Sequence, residues 1–255
     1  MLMRFPTPLV EGRLIKRYKR FLSDIELRTG ETVTAHCANP GSMLGLAEPG
    51  SRVWLSRSNN PKRKLAYSWE LIEVDLGLGP TLVGINTSSP NGAVAAAIEN
   101  GLIPELGGYA SLHREVRYGA NNRIDILLED ESRPPCYVEI KNVHLMRQAG
   151  LAEFPDSVTA RGAKHLEALA DMVAAGSRAV MIYFIQRGDA EAFALAEDLD
   201  PKYAAAFRAA TAAGVEALAV ATSLSLEGLS RPRAIPLRIT DQEAVLYQKK
   251  RAISH

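Results

Sequence analysis

The chain has 255 residues, 47% hydrophobic and 23% charged, and its 30 Lys and Arg against 29 Asp and Glu give a formal net charge of +1. That is enough chain for one large or two small domains with a proper core, and the composition excludes a disordered or fibrous protein. No basic start followed by a long apolar run is present and nothing approaches the ~18 apolar residues of a membrane span, so neither a signal peptide nor a membrane role is expected.

The small net charge conceals an asymmetry. Residues 1–80 carry 12 Lys and Arg against 8 Asp and Glu, whereas residues 81–255 carry 18 against 21. A basic front half points to a polyanionic partner. Cys37 and Cys136 lie far apart in sequence, which fits reduced thiols in a cytoplasmic protein, and without a C-x-x-C pair no zinc site is expected.

In chain order, residues 1–83 read as a small β domain. Leu14–Leu27 alternates and is β-compatible, Thr29-Gly30-Glu31 is a turn, and Thr32–Cys37 is a second strand. Arg52–Arg57, entered through Pro49-Gly50, is a third strand, and Lys64–Val74 a fourth. Short strands with turn signals between them predict an OB-like barrel.

Two stretches of this domain combine cations with aromatics. Lys16, Arg17, Lys19 and Arg20 interleave with Tyr18 and Phe21; Lys62, Arg63 and Lys64 precede Tyr67 and Trp69. Cations bind phosphates and aromatic faces stack on unpaired bases, so both are nucleic-acid-binding candidates. Phe21, Tyr67 and Trp69 are assigned first to the barrel core. Between these stretches, Asn39, Gly41 and Ser42 in His36–Met43 are expected to shape a tight loop.

Past Gly84 the pattern becomes mixed. Asn91 is expected to cap a helix through Glu99 that stops at Gly101. Leu112–Tyr118 reads as a strand, as do Arg123–Leu128 and Cys136–Lys141. Pro155–Ser157 is expected to cap a helix closed by Gly176. Arg178–Gln186 reads as a buried central strand, Pro201–Ala213 as a helix and Val215–Ala221 as a buried strand. From about 223 a loop and tail are expected. A meander followed by α/β crossovers predicts a mixed sheet with helices on both faces.

The candidate chemistry lies in the two central strands. Asp125 interrupts one apolar run, and Glu139 and Lys141 interrupt the next at i, i+2, which puts both on one face of a strand. Charges in such runs are costly unless paired or metal-bound. Asp125, Glu139 and the Ile140 carbonyl are therefore candidate ligands of a hard divalent cation, Mg2+ or Mn2+, with Lys141 beside the attacking water or the phosphate. The same string also fits amphipathic strands with a cross-strand Lys–carboxylate pair. On the following helix Arg161 and His165 share a face, with Lys164 beside them, and Gln186 ends the next strand.

A helix carrying Glu, a meander bearing Asp then Glu-x-Lys, and a further helix and strand form a layout similar to the PD-(D/E)xK nuclease core. The whole chain resembles the sugar fermentation stimulation protein A family. The likeness is carried by Arg17–Leu22, His36–Met43, Asn60–Leu65, Tyr118–Asp125, Pro135–Asn142, Phe154–Leu166 and Gln186-Arg187, and spans residues 3–236. It implies an OB-like N-terminal domain (1–83), a restriction-endonuclease-like α/β/α domain (84–240) and a tail (241–255). It also implies DNA binding, ahead of RNA, and regulation of sugar-utilisation genes. Asp125 and Glu139 match the metal-binding acids, Lys141 the motif lysine, and Glu99 or Glu115 the auxiliary acid. Ile124 stands where the motif has proline. The expected function is Mg2+-dependent phosphodiester hydrolysis, the alternative a non-catalytic DNA-binding regulator on the same scaffold.

Overall fold

A computed structural model describes residues 1–77, 79–118 and 122–238. The expected tail, 241–255, lies outside the described residues, as does the middle of the Tyr118–Asp125 string.

After a two-residue strand β1 (Met3–Arg4), the first domain is built from β2 (Val10–Tyr18), β3 (Leu22–Leu27), β4 (Thr32–His36), β5 (Arg52–Arg57), β6 (Tyr67–Val74) and β7 (Thr81–Gly84). Alternation sets the inward face: Ser23, Ile25 and Leu27 of β3 are buried while Glu26 between them is exposed. The order β4-β3-β2-β5-β6 is closed by a parallel pairing of β6 with β4, Ala35 opposite Tyr67, so the barrel leaves β7 as an added strand on the far half of β6. The single alternating stretch expected at Leu14–Leu27 is thus a hairpin. It turns through Lys19 and Arg20, both at positive φ (48° and 63°).

The second domain continues with α1 (Ser89–Glu99), a 3-10 turn (Pro104–Leu106), β8 (Ser111–Tyr118), β9 (Asn122–Asp130), β10 (Arg133–Val143), β11 (Leu145–Gln148), β12 (Leu151–Phe154) and α2 (Ala160–Ala174). It ends with β13 (Arg178–Ile185), β14 (Ala192–Leu195), α3 (Pro201–Ala212), β15 (Glu216–Ala221), β16 (Leu224–Ser225), β17 (Gly228–Leu229), β18 (Arg233–Ile235) and β19 (Leu237–Arg238). The main sheet runs β18-β15-β13-β10-β9-β8; β8, β9 and β10 form the antiparallel meander, and β10, β13 and β15 are parallel. Helix α1 covers one face, with Val94 and Ile98 clustering with Ile126, Val138 and Val180. Leu166 and Leu169 of α2 and Phe207 of α3 cover the other, against Met181 and Tyr183. Burial from both faces is why β13 reads as an unbroken apolar run.

Several expectations need correction. Helix α1 begins before Asn91: Ser88 is its N-cap position and Pro90 lies in the first turn, where a missing N–H costs nothing. Helix α2 is capped by Thr159, whose hydroxyl accepts from the Gly162 N–H at 3.1 Å, and not by residues 155–157. Residues past 223 are no loose tail as far as 238, because Ile235 is buried and β18 pairs with β15. Likewise, β1 pairs with β17, which places residues 3 and 4 on the second domain.

Asp156 is withheld from capping because it holds the two domains together. Its Oδ2 accepts from the Met43 N–H at 3.0 Å, and its main-chain oxygen accepts from the Ser42 hydroxyl at 2.7 Å. A Cβ on Gly41 would lie 2.7 Å from the same carboxylate, so any larger residue there would push Asp156 out of its contacts with the barrel loop. Burial alone would raise the Asp156 pKa, but His144 and the Met43 N–H hold it well below the usual carboxylate range. A lowered folded-state pKa stabilises above the unfolded value, near 4, and is lost only as pH falls through the folded one. Asp156→Ala is therefore expected to destabilise the protein by about 2 kcal/mol. Urea titrations should show that gap at pH 7 and 5, closing only below about pH 4; equal midpoints at neutral pH would refute the assignment.

Candidate functional site

Strands β9 and β10 pair, with a register shift between Arg133 and Cys136, up to Ile126 opposite Val138 and then part. Parting leaves the next main-chain donor of β10, the Ile140 N–H, without its ladder partner. Asp125 fills the gap: its Oδ2 accepts from Ile140 N at 2.8 Å, and its Oδ1 accepts from the Asn91 side-chain amide at 2.8 Å. Asn91 also donates to Glu115 Oε1 at 3.0 Å, so one amide from the start of α1 ties together acids of β8 and β9. Glu115 sits at φ 56°, a left-handed conformation in the middle of a strand.

On β10, Glu139 and Lys141 project toward the α2 side, as their spacing requires. Lys141 Nζ lies 2.8 Å from Glu139 Oε1, and His165 Nδ1 of α2 contacts the same oxygen. One turn earlier on α2, Arg161 Nε donates to His165 Nε2 at 3.1 Å. These groups share an open cleft of about 330 Å3, lined by Asn91, Glu115, Asp125, Glu139, Lys141 and His165, with Thr87, Arg123, Asn142, Thr159 and Arg161 among the other lining residues.

The two central acids titrate in opposite directions. Burial, and then the charge of Glu139, push Asp125 up to about 6 against its usual 3.8. Burial would raise Glu139 too, but His165 and Lys141 more than offset this and leave it lowered. Asp125 receives only neutral donors, whereas Glu139 receives the Lys141 ammonium and the His165 ring nitrogen. Among the described residues no set of three or more His, Cys, Asp or Glu side chains closes into a metal cage. A pair of carboxylates on an open cleft is nevertheless what a Mg2+-type ion takes when it keeps most of its waters.

Of the other expected residues, Glu115, Arg161, Ile140 and His165 line the cleft. Glu99 does not: it is exposed at the last residue of α1. Eight residues separate it from Asn91, about 12 Å along the axis. Lys164 is exposed and outside the lining. Gln186 is buried one step behind, donating to Asn142 Oδ1 at 2.7 Å. Asn91 is the cleft residue missed in the sequence; the signal was Pro90, which marks a helix already begun and so leaves the Asn91 side chain free of capping.

In the barrel, Arg17 is not available to phosphate. Its Nη2 donates to the carbonyls of Asn39 (2.8 Å), Gly41 (2.9 Å) and Arg20 (3.1 Å), clamping the tight loop expected there. Lys16 lies 3.5 Å from Asp24, and Arg63 Nη2 donates to Ser68 Oγ at 2.9 Å. Lys19, Arg20, Lys62 and Lys64 are exposed. Trp69 is core as expected and Tyr67 packs at its margin, whereas Phe21 is 49% exposed and corrects that assignment.

Comparison with known proteins follows the same division. Residues 15–85 match the family model described as the SfsA N-terminal OB domain, and residues 88–228 match the Sugar fermentation stimulation protein RE domain. A sugar fermentation stimulation protein homolog of Azorhizobium caulinodans is 57% identical over 92% of this chain and 99% of its own. The homolog of Rhodospirillum centenum is 58% identical over the same shares. Among solved structures, Pyrococcus furiosus SfsA in complex with Ca2+ superposes with a TM-score of 0.83 at 27% identity, covering 93% of this chain and 99% of that one.

The raised pKa of Asp125 carries a stability consequence. Between its unfolded value and about 6 the folded state binds the extra proton, so its contribution is present at low pH and lost as pH rises through 6. In metal-free protein Asp125→Asn is expected to raise stability by about 2 kcal/mol at pH 7 and by nothing near pH 4. The amide keeps an acceptor for Ile140, and Asn91 can turn its own amide to match. Denaturant midpoints at the two pH values check this; a variant less stable than wild type at pH 7 would reverse the sign.

Proposed function

The chain belongs to the sugar fermentation stimulation protein family, and from that premise we propose that it is a nucleic-acid-binding phosphodiester hydrolase of the PD-(D/E)xK type, acting on DNA ahead of RNA with Mg2+ or Mn2+. The observation that carries this reading is the convergence of Asp125, Glu139 and Lys141, from adjoining strands, on one cleft. The Ca2+ complex of the Pyrococcus furiosus relative supports a hard divalent cation in this family.

Asp125 and Glu139, with the Ile140 carbonyl, are the groups that would hold the cation; bound there, it neutralises phosphate charge and acidifies water. The protein's own groups do the rest. Lys141 orients the attacking water or balances charge on the phosphate oxygens. His165, held between Arg161 and Glu139, fixes the Lys141–Glu139 pair, and Arg161 at the mouth takes a flanking phosphate. Asn91 fixes the rotamer of Asp125.

One observation favours a second reading, a DNA-binding regulator that does not cleave. Glu139 already has its charge balanced by Lys141, so the cleft is partly self-neutralised without a cation. No described helix is long and apolar enough to cross a membrane.

Incubation of labelled single- and double-stranded DNA and RNA with Mg2+ or Mn2+ separates the two. Cleavage that falls by about 100-fold or more in Glu139→Gln and Lys141→Met supports hydrolysis at this cleft. Cleavage indifferent to both removes it, and tight binding with no cleavage in any metal promotes the regulator. Metal alone should raise the melting temperature of wild type and not of Glu139→Gln.

The basic loop gives an independent prediction. Reversing the charge of Lys62, Arg63 and Lys64 together should weaken oligonucleotide binding and flatten the slope of log Kd against log salt by about 2. An unchanged slope would take that loop out of the interface.

A further inference from the structure

The hairpin between β2 and β3 is built in a way the barrel does not need. Its tip, Lys19, Arg20 and Phe21, lies between the paired residues Tyr18 and Leu22. Lys19 and Arg20 adopt φ of 48° and 63°, a conformation that Asn or Gly enters at little cost and that Lys and Arg enter under strain. Strained non-glycine residues cluster where a side chain is wanted for function. Phe21, next in sequence, leaves 49% of its surface in water, whereas Trp54 and Trp69 of the same domain are buried. Among the described residues neither Lys19 nor Arg20 is paired with an acid.

A series of hydrogen bonds links the tip toward the cleft. The Arg17 guanidinium donates both to the Arg20 carbonyl and to the carbonyls of Asn39 and Gly41. That loop in turn is bonded to Asp156 through Ser42 and Met43. Three residues on, about 10 Å of chain at most, Thr159 lines the cleft. The segments along this route also carry exposed aliphatic side chains, Leu44 (48%) and Val158 (72%).

We propose that Phe21, flanked by Lys19 and Arg20, is a stacking platform for an unpaired base of a nucleic-acid strand that continues into the cleft. The course of that strand rests on the hydrolase reading; the platform itself does not. An aromatic face accepts any base, while the two cations meet the phosphates on either side. A base inside a duplex has no free face to offer, so the site favours a single-stranded, frayed or unstacked segment.

Anisotropy titrations of the full chain in EDTA, with labelled single strands and blunt duplexes of DNA and of RNA, test this. Phe21→Ala is expected to weaken single-strand binding by about tenfold and duplex binding by less than about twofold, with an unchanged melting temperature. Phe21→Trp should restore affinity and show indole emission quenched by the oligonucleotide, and Phe21→Leu should behave as the alanine variant. Equal affinity of Phe21→Ala and wild type overturns the platform, as does full rescue by leucine or an equal loss on strands and duplexes. Cleavage is scored separately. Cleavage that needs Lys141, with binding indifferent to Phe21, leaves the hydrolase and removes the platform; binding that needs Phe21, with no cleavage in any metal, does the reverse.

Discussion

The parting of β9 from β10 beyond Ile126 and Val138 is the feature on which the cleft depends. Two antiparallel strands that stay paired keep their main-chain donors occupied and offer no room between them. Separation exposes the Ile140 N–H, and a buried donor left unbonded costs about 1–3 kcal/mol. Asp125 resolves this with its own side chain, which draws a carboxylate into the sheet edge just where Glu139 projects from the neighbouring strand. The structural need and the candidate chemistry thus use the same oxygens. An apolar residue at 125 would leave the strand end unsatisfied as well as remove a charge.

The barrel is fastened to that edge by a run of polar contacts. Glu70 of β6 accepts from the Asn86 amide at 2.8 Å, and the Asn86 carbonyl accepts from Gln186, which also donates to Asn142. Asn142 meets His144 at 3.0 Å, and His144 Nε2 lies 3.4 Å from Asp156 Oδ2. Asp156 returns to the barrel loop through Met43. Asn142, next to Lys141 on β10, therefore stands midway between two fastening points of the barrel. Buried polar contacts of this kind define one relative placement more sharply than an apolar seam, because amides and carboxylates tolerate little misalignment.

Much of this was legible in sequence, for reasons that differ by element. Strands β13 and β15 are covered on both faces, so their apolar runs were plain, and the i, i+2 spacing of Glu139 and Lys141 fixed their common face. The small strands β11, β12 and β14, of four residues each, left no period to detect. Asn91 and Asp156 were misread for one reason: each has the chemistry of a helix cap and stands near a helix start, yet each gives its side chain to a distant partner. Composition also could not tell Phe21 from Trp69. Both are aromatics in a β domain, and only the hairpin turn decides which one faces water.

The charge distribution in the cleft is the last constraint, and it separates the two acids. Glu139 is the more deeply enclosed, and a carboxylate there is tolerable because Lys141 and His165 reach the same oxygen. Asp125 has neutral amide donors only, and its charge is opposed by Glu139 and partly offset by Lys141. Around them the lining sets Glu115, Asp125 and Glu139 against Arg123, Lys141 and Arg161, three acids against three strong bases. The cleft is thus divided locally, with Asp125 held by neutral amides and Glu139 by Lys141 and His165.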